Sequence, residues 1–452
     1  VTGVQTCALP ISGYKMEKTL VVDCVLNQLI FGPNPDLTKA FISNIPAEEL
    51  VRYMSEILKE VLRPTLPGVK ISAKIEKFCA ILKDNPQWEH GWYVMGTMMS
   101  LAPVSDISND FILSALKDVG TSAEMTAGVI FAAAARIGDW TVPQQQELVA
   151  GIANILKNGT VMNQSFIKQA LQLLQRYDSG RDALSDILSR SADTVVTAAS
   201  QIPDIQIPSG LVCGALFVVR ACDVPPKGVN SMQLVAAIQN LVSLASGKES
   251  AIPAHAVLTL GKISLRDDRV MTRSVGILGR ELRTCSNSSV RSNIVVMLCD
   301  LVMAYPLRFD QHLIWFSIAA RDPDANVRFA AISAISRLLS LDFIKMKLHI
   351  FAVLLLAAVG PINQIAALAE RTLMEALGSQ LNQQLPSMTL NAMFIISGED
   401  LVGVTRSLSV ELLGVLVESS HDTRCRALKL AVGHMSEEQK LSFASAVTNE
   451  II

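Results

Sequence analysis

The chain has 452 residues, half of them hydrophobic, 18% charged and only 5% aromatic, with a formal net charge of −2 and an isoelectric point near 6.4. That much apolar content supplies a large buried core and excludes a disordered chain, and the near-neutral balance excludes a protein that attracts nucleic acid or membrane through a global field. A single core rarely grows beyond about 250–300 residues, so the length calls for several domains or a linear repeat array, and scarce aromatics suit thin helix-on-helix layers.

The first residues, Val1 to Ser12 (VTGVQTCALPIS), resemble a translated sequencing-adapter remnant and are set aside from fold reasoning. Without Met at position 1, and with a helical pattern running into Asn449-Glu450-Ile451-Ile452, the chain reads as a fragment cut at both ends. Helical periodicity then dominates. It predicts helices over Asp36 to Ile45, Ala47 to Leu62, Ser72 to Asp84, Trp88 to Ser100, Asn109 to Val119, Ser122 to Ile137, Pro143 to Lys157 and Gln164 to Tyr177. Several start on a polar cap, as in Ser122-Ala123-Glu124, and stop at a breaker, as in Ile137-Gly138-Asp139. No run alternates apolar and polar residues between hairpin turns, so strands are not expected. The stretches Gln201 to Gly210 and Asp223 to Asn230, rich in Pro and Gly, are the candidate joints.

The second half repeats. Pro253-Ala254-His255-Ala256-Val257-Leu258-Thr259-Leu260-Gly261, Val290-Arg291-Ser292-Asn293-Ile294-Val295-Val296-Met297-Leu298 and Val327-Arg328-Phe329-Ala330-Ala331-Ile332-Ser333-Ala334-Ile335 are offset by 37 residues, and a weaker copy follows at Gln364-Ile365-Ala366-Ala367-Leu368. Two helices per unit at this period predict an all-α, HEAT-repeat alpha solenoid, an ARM-repeat-like superhelix. Each hairpin has an apolar face too broad to bury alone, so it stacks on its neighbour. The turn Asp322 is expected to cap the following helix, and Arg291 and Arg328 to bind carboxylates or carbonyls of a neighbouring turn, which makes all three structural.

The order His255-Ala256-Val257-Leu258-Thr259-Leu260-Gly261-Lys262, Val290-Arg291-Ser292-Asn293, Cys299-Asp300-Leu301, Arg321-Asp322-Pro323-Asp324 with Val327-Arg328, then Leu338-Leu339 and Asp342-Phe343-Ile344-Lys345-Met346-Lys347 is more specific than a generic array. It resembles the HEAT segment, here His255 to about Leu377, of the D-type, non-SMC subunits of condensin. Arg424-Cys425-Arg426-Ala427-Leu428-Lys429-Leu430 and His434-Met435-Ser436-Glu437-Glu438-Gln439-Lys440 look like the helix pair of the condensin-II, D-three type, while the compact, apolar Gln380 to Asp422 lacks the charged insert expected of that subtype. The expected organisation is N-terminal helical repeats over 13–252, condensin-type HEAT repeats over 253–378 and truncated C-terminal repeats over 379–452. The resemblance implies a scaffold that binds the kleisin subunit and DNA, serves the SMC ATPase heterodimer in mitotic chromosome condensation, and resides in the nucleus on the chromosome. A general HEAT adaptor in transport or signalling, without DNA contact, is the alternative.

Catalytic signatures are missing. There is no GxxxxGK[ST] loop, Gly247-Lys248-Glu249 and Gly261-Lys262-Ile263 being incomplete, and no HExxH or Gly-x-Ser-x-Gly. His90, His255, His312, His349, His421 and His434 are far apart, and Cys7, Cys24, Cys79, Cys213, Cys222, Cys285, Cys299 and Cys425 show no CxxC spacing, reading as buried thiols of a reducing compartment. No enzyme activity, metal, cofactor or small-molecule substrate is expected. The longest apolar run, Leu348 to Ile362, contains His349, Gly360 and Pro361 and falls short of a membrane span. The paired acids Asp267-Asp268 and Glu437-Glu438 sit where carboxylates favour a helix N-terminus.

One constellation points to a ligand. Arg269, Arg273, Arg280 and Arg283 recur at relative positions 0, 4, 11 and 14, one face of a helix over Asp267 to Arg283, with Gly276 completing the stripe. From Ala254 to Ile350 there are 13 Lys and Arg against 8 Asp and Glu. Such a basic island can track a phosphate backbone without reading sequence. Lys262, Arg266, Lys345 and Lys347 are candidates to extend it, and the competing expectation is a solvated face or one paired with acids of the adjacent repeat.

Overall fold

Short polar residues start many of the helices. Ser108 accepts the N–H of Phe111 and Ser122 that of Met125, Asp267 accepts the N–H of Arg269, and Asn287 and Asp324 each accept two N–H groups of the turn they open. These satisfy donors that a helix N-terminus otherwise leaves without partners. The computed structural model describes residues 71–101, 107–118, 122–136, 140–158, 164–222, 230–244, 251–376, 384–398, 410–418 and 420–451, and no strand occurs among them. The expected helices over Asp36 to Ile45 and Ala47 to Leu62, the first twelve residues, Gly138-Asp139, Gly247-Lys248-Glu249 and nearly all of Asp223 to Asn230 lie outside the described residues.

Two compact units are present, Val1–Val195 with Gly210–Ser231, and Val196–Ser209 with Met232–Ile452. The first contains α1 (Ile71–Asp84), α2 (Glu89–Leu101), α3 (Asn109–Lys117), α4 (Ala123–Ala135), α5 (Val142–Asn158), α6 (Gln164–Arg176), most of α7 (Asp178–Ser200) and α8 (Ser209–Ala221). Helices α2, α4 and α6 pack in series, with α3 against α4 and α5 against α6. The closest pairing, α2 on α4, depends on small residues: a Cβ at Gly96 would meet the Phe131 ring at 2.4 Å, and one at Gly128 would meet Trp92 Cβ at 2.9 Å. Trp92, Met95, Val129 and Ile130 fill the space beside them.

The second unit contains α9 (Ser231–Val242), α10 (Ile252–Arg266), α11 (Asp268–Thr284), α12 (Ser288–Ala304), α13 (Pro306–Phe309), a 3-10 turn over Asp310–His312, α14 (Ile314–Ala319), α15 (Ala325–Ser340), α16 (Leu348–Ala358), α17 (Asn363–Ala376), α18 (Leu385–Ser397), α19 (Val410–Leu416), α20 (His421–Gly433) and α21 (Glu437–Ile451). Helices α10, α12, α15 and α17 pack in series as one layer, and α11, α14, α16 and α18 form the other. This is an all-α fold of HEAT type, and the starts of α12 and α15 are spaced by the 37 residues of the sequence repeat. Val257, Leu260, Leu278, Ile294, Leu298, Ile332, Ile335, Leu338 and Leu354 are essentially inaccessible to solvent between the layers. Burial of apolar area on this scale is the main stabilising contribution, at about 25 cal/mol per Å².

Helix α19 departs from the two-layer order. It lies against α14, α16 and α18. Arg321, in the turn before α15, donates to Glu418 Oε2 at 2.9 Å and to the Val415 carbonyl at 3.3 Å, which fixes the end of α19 at that point. Of the six described cysteines, all free, Cys79, Cys222 and Cys299 are buried, while Cys213, Cys285 and Cys425 are half-buried, so the expectation of uniformly buried thiols is corrected. Among the described residues no helix is long and apolar enough to cross a membrane.

Candidate nucleic-acid interface

Helix α11 is built by a two-sided pattern. Val270, Met271, Ser274, Val275, Leu278, Gly279 and Leu282 are buried, and the opposite stripe Arg269, Arg273, Gly276, Arg280 and Arg283 is exposed. The residues repeat at the spacing of one helix face, so burying the apolar side necessarily turns the arginines outward. At 1.5 Å per residue the four arginines extend over about 21 Å. Behind them, Trp315 of α14 sits against Gly279, where a Cβ would lie 2.3 Å from the ring, and Trp315 stacks on His312 at 4.4 Å.

Among the described residues no acid of a neighbouring repeat covers Arg269, Arg273 or Arg280. The Arg269 side chain has no partner there, and the Arg273 guanidinium lies 3.9 Å from Met232 Sδ. Arg280 donates to Ser243 Oγ at 2.6 Å and to Glu281, its neighbour on the same helix, at 2.9 Å. Arg283 turns back to the Gly279 carbonyl at 2.9 Å. The two acids at the start of the helix are engaged elsewhere: Asp267 caps α11 and Asp268 pairs with Arg308.

The other four candidates are not placed alike. Arg266 ends α10 one residue before the Asp267 cap and is exposed, next in the chain to the start of the stripe. Lys262 is exposed on α10, in the other layer. Lys345 pairs with Asp342 at 2.7 Å and Lys347 with Asp310 at 2.7 Å, in the connection to α16, which α14 separates from α11. These two charges are offset locally rather than added to the stripe.

Arg291, Asp322 and Arg328 belong to the repeat joints. Arg291 donates to both Asp322 carboxylate oxygens and, through Nη1, to the Cys285 and Ser286 carbonyls at 2.7 and 3.0 Å. Arg328 makes the corresponding pair of bonds to the Asp322 and Pro323 carbonyls, at 2.7 and 2.8 Å. The expectation that Asp322 caps the next helix is corrected: the cap is Asp324, whose Oδ1 accepts the N–H groups of Asn326 and Val327, while Asp322 Oδ1 accepts the Asp324 N–H. Asn287, 37 residues before Asp324, caps α12 in the same way. This correspondence was available in the repeat alignment. The Ser243 contact of Arg280 was not, because it joins two helices through a surface side chain.

Two other polar groupings stand apart from the arginine stripe. Ser317 Oγ and His349 Nδ1 lie 2.8 Å apart, but Ser317 is inaccessible and His349 is 8% exposed, so no substrate reaches them. Burial holds the His349 pKa down at about 4, with Lys347 adding to the effect. Glu89, His90 and Glu124 bring ligand atoms within 4.8 Å of one another. Both glutamates stand in the first turns of helices, where carboxylates are favoured, and Glu89 accepts a hydrogen bond from Ser122.

A family model described as "Condensin-2 complex subunit D3-like. HEAT repeats" matches residues 214–282. The chain is related to the D3 subunits of condensin II. The match begins ahead of the His255 start expected from the motif succession and contains Arg269, Arg273 and Arg280. The Xenopus laevis Condensin-2 complex subunit D3-L is 23% identical over 212 residues, 46% of this chain and 14% of that protein. The Arabidopsis thaliana Condensin-2 complex subunit CAP-D3 is 27% identical over 135 residues, 30% of this chain and 10% of that protein. The aligned part is thus a small fraction of these D3 proteins. A solved structure of the Pds5–Scc1 complex superposes with a TM-score of 0.37 at 11% identity, covering 98% of this chain and 71% of that one, a likeness too loose to bear on function.

Proposed function

We propose that this chain is part of a condensin-II scaffold that contacts DNA through the α11 face. The observation that carries the proposal is the joint exposure of Arg269, Arg273, Arg280 and Arg283 along one helix face, with no carboxylate of a described neighbouring repeat against Arg269, Arg273 or Arg280. Guanidinium groups held along one face engage phosphate oxygens through paired N–H donors, and each neutralised phosphate releases counterions. Binding of this kind depends on salt and is indifferent to base sequence. The kleisin subunit, the SMC ATPase heterodimer and a nuclear, chromosomal location enter from the relationship to D3 subunits, as does a role in mitotic chromosome condensation. The action is scaffolding by a repeat surface rather than catalysis.

Binding of the full chain to a short DNA duplex across a salt series tests the DNA contact. The comparison is the variant with Arg269→Glu, Arg273→Glu and Arg280→Glu together. Salt-dependent binding is expected, with the slope of log affinity against log salt falling by about 3 in the variant. Equal binding by both proteins removes the stripe from the interface. Absence of binding by the wild-type chain at low salt favours the adaptor reading, in which protein partners alone are recruited.

A further inference from the structure

We propose that Gly276 is the seat of the DNA contact, the point where a phosphodiester backbone comes to rest on the bare surface of α11. The inference rests on the nucleic-acid reading above and deepens it. Gly276 lies at the middle of the arginine stripe, seven residues from Arg269 and seven from Arg283, in the interior of a 17-residue helix. It is exposed, and a Cβ there would meet nothing within 4 Å.

Packing explains the other interior glycines that a Cβ would test. Gly279 takes the Trp315 ring, Gly261 takes Met297, and Gly96 and Gly128 let α2 and α4 approach. The remaining open ones, Gly210, Gly414 and Gly433, stand in the first or last turn of their helices. Gly276 has neither explanation, and its φ is not in the left-handed region, since the only described positive-φ glycine is Gly398. Glycine weakens a helix interior, so its place at the centre of an exposed stripe points to something outside the helix that needs the space.

The surrounding side chains define that space. Arg273 stands three residues before Gly276 and Arg280 four after, about 10 Å apart along the axis, so they form the two walls of a shallow saddle whose floor is helix backbone. Arg280 is steadied by Ser243 and Glu281. A strand crossing the saddle brings phosphate oxygens to both guanidinium groups and its sugar-phosphate edge against the floor. An amino-acid side chain at 276 would hold the strand away from both walls.

The test uses the full chain with Gly276→Ala, Gly276→Gln and Gly276→Leu, measuring affinity for a short DNA duplex and thermal unfolding. Gln and Leu are expected to weaken binding roughly tenfold, and Ala by about two- to threefold, although no charge changes. The melting temperature should rise in all three, because each is a better helix former than glycine. The split between a stabler fold and a weaker complex separates a steric role from misfolding. Wild-type affinity in the Gln and Leu variants, with binding lost in the triple arginine variant, overturns the role of Gly276 and leaves the DNA contact standing. Failure of the wild-type chain to bind DNA removes both. An acidic peptide that binds with the same dependence on Gly276 while DNA does not overturns the choice of occupant.

Discussion

Arg291 and Asp322, 31 residues apart, meet across a repeat boundary in a two-pronged ion pair, Nε to Oδ2 at 2.7 Å and Nη2 to Oδ1 at 2.8 Å. Their side chains are 10% and 8% exposed. The same guanidinium also closes the end of α11 by donating to the Cys285 and Ser286 carbonyls, so one side chain of α12 ties the end of α11 to the turn between α14 and α15. Among the described residues the rung occurs once. Arg328 repeats the carbonyl half, but the position 37 residues beyond Asp322 is Val359, which offers no carboxylate.

Removing one partner of a buried pair strands the other charge. Arg291→Ala and Asp322→Ala are each expected to cost about 3–5 kcal/mol. Urea unfolding checks this, and a double variant losing little more than either single one shows that the two residues act as a unit. Single variants within a few tenths of a kcal/mol of wild type would contradict it.

His349 makes the fold sensitive to acid. Its folded pKa is lowered from 6.5 to about 4, with burial the main cause and Lys347 assisting, while Asp310 opposes and Ser317 bonds Nδ1. Between those values the unfolded chain holds the proton and the folded chain does not. Stability therefore falls as pH drops from 6.5 towards 4, by roughly 2–3 kcal/mol from this group. Denaturant midpoints at pH 7, 5.5 and 4.5 measure it, and His349→Gln should flatten that part of the profile.

Two glycines buried beside larger side chains should respond differently to alanine. A Cβ at Gly279 meets the Trp315 ring at 2.3 Å, while one at Gly261 meets the flexible thioether of Met297 at 2.1 Å. Gly279→Ala is expected to destabilise by about 1–3 kcal/mol because the rigid indole, stacked on His312, must shift as a whole, and Gly261→Ala by less because the thioether can change rotamer. Thermal melts of the two variants, compared directly, decide the order.

Arg321→Ala should release α19 without unfolding the repeats beneath it. The bonds to Glu418 and the Val415 carbonyl are lost, and the Glu418 N–H bond to the Ile396 carbonyl of α18 is the backbone tie that remains at this end among the described residues. Hydrogen exchange over residues 410–418 is expected to quicken about tenfold, with α12 and α15 unchanged. Equal protection in wild type and variant would show that apolar packing alone holds α19.

The all-helical class, the 37-residue period and most helix bounds between Ser72 and Tyr177 are legible in the chain, because caps, breakers and 3.6-residue periodicity act over a few neighbouring residues. The arginine stripe is legible for the same reason: positions 269, 273, 276, 280 and 283 share a face in any α-helix. What covers that face is not local. Lys345 and Lys347 have the same charge as the stripe, yet Asp342 and Asp310 engage them, while Asp268, which stands beside Arg269 in the chain, pairs with Arg308 from the next hairpin.

Local chemistry thus determined where helices begin, how they repeat and which residues they turn outward together. Tertiary packing alone decided that Asp322 serves Arg291, that α19 leaves the two-layer order, and that Gly276 is open while Gly279 holds an indole. Those outcomes depend on side chains about 20 to 100 residues apart meeting at particular distances, which no periodicity encodes.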